Sequence, residues 1–202
     1  MLDHVASTDL KSNAYMFDHR DGLLDSYLGL MLLAAGLLMQ ANLIFLVGIV
    51  PASMLPAYQS AKRSVTAPRQ EQLNTGPDRS RRSRNLMLIV LAVGFTALGL
   101  AILITGGVGA GEIPAWLTTG LRTYGMLAAA LAFATGFSLV AHFGSLPRYV
   151  SFAVLALAIF GLGQGIGFGF PTGLMILGGV MVLGGLLTLV RFVRTYPVEA
   201  TK

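Results

Sequence analysis

From Gly22 to about Ala61 the chain carries hardly a charge beyond Asp25. A single helix of that length would reach about 60 Å at 1.5 Å per residue, twice the depth of a hydrocarbon core of about 30 Å. The length of this run therefore predicts two membrane spans joined by a tight turn. Composition agrees with the bilayer reading: 54% of the 202 residues are apolar and 11% are charged, against roughly 25% charged in a soluble domain. Disorder is excluded by the same balance, because disordered chains lack large apolar residues. The chain has no cysteine, which removes disulfides, thiolate metal sites and cysteine nucleophiles from consideration.

Residues 1–21 form a polar tail with two basic and four acidic side chains and none of the layout of a signal peptide. Gln40 and Asn42 are the polar pair that divides the first apolar run into spans near 22–39 and 43–61, the second kinked by Pro51 and Pro56. The competing expectation is one long tilted helix from Tyr27 to Val50. Residues 62–84 form a polar loop in which Pro68, Gly76 and Pro77 forbid a continuous helix. Further spans are expected at 86–105, 119–142, 149–168 and 173–192, with a short tail at 193–202. The expected fold is thus an all-α bundle of six transmembrane helices in three hairpins, over 22–61, 85–142 and 143–192, with five spans as the alternative.

Seven of the fourteen Lys and Arg residues lie in the 62–84 loop. So localised a charge in so apolar a chain points to membrane topology rather than to nucleic acid. With that loop cytoplasmic and six spans, both termini and the 143–148 turn fall on the same side, and Arg122 is the one basic residue outside. The loop from Gly107 to Thr118 has one acid, one tryptophan and no basic residue, as an outer loop should. Trp116 at the outer boundary and Tyr149 and Tyr196 at the inner one fit the aromatic belts.

Ten of the 25 glycines fall between Gly161 and Gly185. Close backbone approach through small residues holds helices together in lipid, where the hydrophobic effect gives no drive between them. Gly161, Gly165 and Gly169 form one stripe, and Gly178 and Gly185 repeat on the last span as Gly29 and Gly36 do on the first. These are expected packing faces, within the chain or between protomers. The alternate glycines of Gly161–Phe170, with Gln164, also fit a broken helix of the kind that forms substrate sites in transporters.

No catalytic, metal-binding or nucleotide-binding pattern emerges. His4, His19 and His142 are not spaced as a pair on one helix turn, no G-x-S-x-G elbow is present, and neither glycine run carries a phosphate-loop lysine. No cofactor is expected. Ionisable groups inside spans are the default functional candidates. Asp25 opens the first span, where the helix dipole favours a carboxylate. Arg122 opens the fourth, free to snorkel outward, pair with Glu112 or meet a lipid head or substrate. Arg79, Arg81, Arg82 and Arg84 precede the third span and are placed to contact anionic lipid.

The segments Asp21-Gly22-Leu23-Leu24-Asp25, Pro51 to Pro56 and Thr66-Ala67-Pro68-Arg69 resemble a group of uncharacterised prokaryotic integral membrane proteins. The resemblance covers about the first 85 residues and departs after Arg69, where the group continues with a Gly-aromatic pair and this chain has Gln70-Glu71-Gln72. It implies a multi-pass architecture and a prokaryotic source and transfers no site. Two functions are expected: a non-catalytic subunit or scaffold packing against itself or a larger complex, or a small-solute or lipid transporter with a path beside Gln164 and Arg122.

Overall fold

The computed structural model describes residues 21–66, 115–144 and 146–195. Among the described residues every regular element is helical. In chain order these are α1 (Leu23–Gln40), a 3-10 turn (Ile44–Leu46), α2 (Val50–Ala61) running into one π turn (Lys62–Thr66), α3 (Ala115–Gly144), α4 (Arg148–Ile166) and α5 (Phe170–Thr195). Four of them, α1, α3, α4 and α5, are long and apolar enough to cross a membrane. The expected span at 86–105 lies outside the described residues.

The polar pair ends α1 where its position in the apolar run implies. Asn42 takes a left-handed φ of 59°, and the Ala41 and Leu43 amides donate back to Leu37 and Leu38 at 3.0 and 2.8 Å. One helix from Tyr27 to Val50 is therefore not formed. The second expected span is not one regular helix. Its regular part is α2, 12 residues with Pro51 at the start and Pro56 inside, about 18 Å long and short of the roughly 30 Å core. Proline supplies no amide to the helix ladder, so the segment becomes a 3-10 turn, a bend and a short helix. It still runs back along α1: the Tyr27 hydroxyl donates to the Pro51 carbonyl at 3.2 Å, and the Tyr27 and Tyr58 rings lie 4.9 Å apart.

Among the described residues α1 packs mainly against α5 and α3 mainly against α4 rather than as the expected hairpins, and the expected hairpin over 85–142 lies partly outside the described residues. The α1–α5 seam follows from glycine spacing. Gly22, Gly29 and Gly36 on the α1 side face Gly185, Gly178 and Pro171 on α5, stepping by seven in opposite directions. A Cβ on Gly29 would sit 2.7 Å from the Gly178 carbonyl oxygen, and one on Gly178 would sit 2.6 Å from the Leu33 amide nitrogen. Those neighbours are backbone and cannot turn aside, so only glycine permits the approach. Within the expected broken stretch 161–170, α4 runs unbroken to Ile166 and ends where the Gly167 amide donates to the Gly163 carbonyl at 2.8 Å, the non-helical part being confined to 167–169.

The α3–α4 seam is built from rings and alanines. Phe133 and Phe160 stack with centroids 5.4 Å apart, with Ala129 and Ala130 buried on α3, while Ala153 and Ala156 belong to the core that α4 shares with Leu174, Leu177 and Met181 of α5. The starts of α1 and α4 and the ends of α3 and α5 share one face of the bundle, called here the Asp25 end. The opposite face is the Pro171 end.

Candidate functional site

The Asp25 end holds the polar groups that the bundle buries. Gly22 stands before α1 with φ 73°, a left-handed conformation open to glycine at little cost. Asp21 Oδ1 accepts from the Leu23 amide at 3.1 Å, and the Gly22 carbonyl accepts from the Ser26 amide at 3.0 Å and the Ser26 hydroxyl at 3.1 Å. This local capping draws α1 tightly against Gly185 of α5 and leaves Asp25, one turn in, 1% exposed.

Asp25 does not merely cap its own helix. Its Oδ2 lies 3.2 Å from Arg148 Nε in the first turn of α4. The Arg148 guanidinium stands 5.9 Å from the Tyr149 ring centroid. Tyr149, fully buried, packs edge-on against Phe152 and beside Phe137. It therefore belongs to the core rather than to the expected aromatic belt. Its hydroxyl comes close to the Asp25 carboxylate without meeting hydrogen-bond geometry.

Electrostatically the pairing is reciprocal. An arginine in a first turn faces the positive end of its own helix dipole and is disfavoured there, so Arg148 is held by Asp25 rather than by α4. Asp25 in turn leaves water only because a cation meets it; a buried ion pair survives when both partners are present. The arrangement can fix two helix starts side by side, or exchange one partner for another charged or polar group.

The expected site residues fall into separate places. Gly178 and Gly185 lie in the α1–α5 seam, whereas among the described residues Gly161 and Gly165 would find no heavy atom within 4 Å of an added Cβ, and Gly169 would meet only Pro171 at ordinary contact distance. Gln164 Nε2 donates to the Thr123 carbonyl at 2.8 Å, tying α4 to α3 near the Pro171 end. Arg122 lies in the early part of α3, at the same end, with its side chain outside the described residues, as are Arg79, Arg81, Arg82 and Arg84. The structure thus does not bring Gln164 and Arg122 to the buried cluster. Sequence reasoning placed Asp25 correctly at a helix start and missed its union with Arg148. The available signal was an acid in an otherwise uncharged run and an arginine opening another span on the same predicted face.

A second feature is an open groove of 480 Å³ along α3, lined by Thr135, Ser138 and His142 with Leu131, Leu139 and Leu157. It faces outward from the bundle, and His142 sits at its Asp25 end. Compared with family models, with curated proteins and with solved structures, the chain has no match.

Proposed function

We propose that the chain is a non-catalytic multi-pass protein of a prokaryotic cytoplasmic membrane, a small helical subunit or scaffold that packs by glycine-lined faces into an oligomer or larger membrane complex. The carrying observation is the unequal use of glycine. Gly29, Gly178 and Gly185 are consumed inside the chain, while Gly161 and Gly165, one turn apart on α4, stand open among the described residues beside exposed Leu157, Leu162 and Ile166. A groove one glycine deep lets another helix approach closely in lipid.

Orientation follows from charge. Lys62, Arg63, Arg148, Arg191 and Arg194 lie at or beyond the Asp25 end, whereas Arg122 belongs to the opposite end. The positive-inside bias makes the Asp25 end cytoplasmic, with the basic loop on anionic lipid. The connection from α1 to α3 leaves and rejoins the bundle at the Pro171 end, so it crosses an even number of times. Crossings by 43–61 and 86–105 give six in all and place both termini inside.

The test is purification in mild detergent. A defined oligomer or a stable co-purified subunit is expected, and Gly161→Leu with Gly165→Leu should abolish it while leaving the protomer as heat-resistant as before. A monodisperse native monomer would overturn the reading. The buried Asp25–Arg148 pair favours a second reading, a small-solute or lipid transporter, because ionisable side chains paired within membrane spans mark such paths. Proteoliposome flux that collapses on Asp25→Asn would establish it.

A further inference from the structure

The described bundle consists of two tightly seamed pairs, α1 with α5 and α3 with α4, whose backbones stand farther apart between pairs than within them, the space between being filled by one apolar core that draws side chains from both pairs. At the Pro171 end the pairs are joined covalently and sterically. Gly167, with φ 83°, Phe168 and Gly169 form the link between α4 and α5, Phe160 stacks on Phe170 with centroids 5.6 Å apart, and an added Cβ on Gly173 would lie 2.6 Å from the Phe160 ring. At the Asp25 end no chain connects α1 to α4. There the pairs are bridged by the Asp25–Arg148 contact at 3.2 Å, with the Tyr149 ring centroid 5.9 Å from the Arg148 guanidinium.

We propose that Asp25 and Arg148 form a latch that holds two rigid helix pairs closed at one membrane face, with the glycine link at 167–169 as the opposing hinge. A hinge needs few residues able to absorb a backbone change, and Gly167 and Gly169 supply them. A latch needs a contact that costs nearly as much to bury as it returns, and a buried ion pair fits that demand better than apolar packing does. Arg148 completes the argument, since its place at a helix start is unfavourable without Asp25, and its side chain is 26% exposed against 2% for Asp25. The partner that can be drawn off toward the headgroup region is therefore the arginine. Release separates Asp25 from Arg148 and opens the cleft above Tyr149, while the α1–α5 and α3–α4 seams stay intact. The inference stands independently of whether the protein is a subunit or a transporter.

The natural absence of cysteine gives a clean background for the test. Ala153→Cys places a thiol one turn inside Tyr149, at a position 5% exposed, and Leu174→Cys places one near the hinge, at a position 4% exposed. Full-length protein in proteoliposomes is treated on both faces with a water-soluble thiosulfonate. Both thiols should react slowly. Adding Asp25→Asn should speed Ala153→Cys about ten-fold or more, the scale of a local opening, and leave Leu174→Cys unchanged. The neutral double variant Asp25→Asn with Arg148→Gln should keep Ala153→Cys fast, because the latch is still missing. No acceleration would overturn the proposal. So would equal acceleration at both positions, which marks general loosening, or a return to the slow rate in the double variant, which marks a stranded charge rather than a lost latch.

Discussion

The α1–α5 and α3–α4 seams solve one problem by opposite means. Both must hold helices together where lipid competes on equal terms with leucine. The α1–α5 seam removes side chains, so that carbonyl and amide groups of facing backbones come within van der Waals range at Gly29 and Gly178. The α3–α4 seam adds them, filling the gap with Phe133, Phe137, Tyr149 and Phe160. The first tolerates no added atom, whereas the second tolerates loss in proportion to the volume removed.

Substitutions separate the two, and the largest effect belongs to the glycine seam. Gly178→Ala adds a Cβ 2.6 Å from the Leu33 amide nitrogen and should lower stability by about 3 kcal/mol, the upper part of the usual overpacking range, read as the midpoint of unfolding in mixed micelles. Phe160→Ala removes the ring at the centre of the other seam. It should cost about 2 kcal/mol, less than in a soluble core, since the cavity remains but the transfer from water does not. Gln164→Leu breaks one cross-helix hydrogen bond and should cost about 0.6 kcal/mol, the average for such bonds in membrane bundles. At the small end, Gly161→Ala should leave the protomer unchanged in the same assay, because none of the described residues lies within 4 Å of the added atom. A loss at Gly161 as large as at Gly178 would erase the distinction between used and open glycines.

Much of this was legible in the sequence. The break at Gln40 to Asn42 and the extents of α3, α4 and α5 follow from apolar length and polar punctuation, which report on single helices. The seven-residue spacing of Gly29 with Gly36 and of Gly178 with Gly185 could also be read, and it is the matching spacing that lets α1 and α5 interlock. What could not be read was partnership. Neighbours in sequence were expected to pair, yet α2 has prolines where a packing face would need an unbroken ladder, and α1 finds its complement at the far end of the chain. Asp25 illustrates the same limit. Its helix-start position explains a carboxylate locally, and the arginine that makes it buried belongs to a helix whose rotation and depth no local pattern encodes.

The antiparallel α1–α5 clasp underlies every step from the buried cluster to the latch, and disulfide trapping in this cysteine-free chain tests it most directly. Ser26→Cys with Gly185→Cys should oxidise readily to an intrachain bridge, since the Ser26 hydroxyl lies against the position of a Gly185 Cβ. Ser26→Cys with Leu174→Cys should not, because Leu174 lies toward the Pro171 end. Bridging through Leu174 and not through Gly185 would contradict the account.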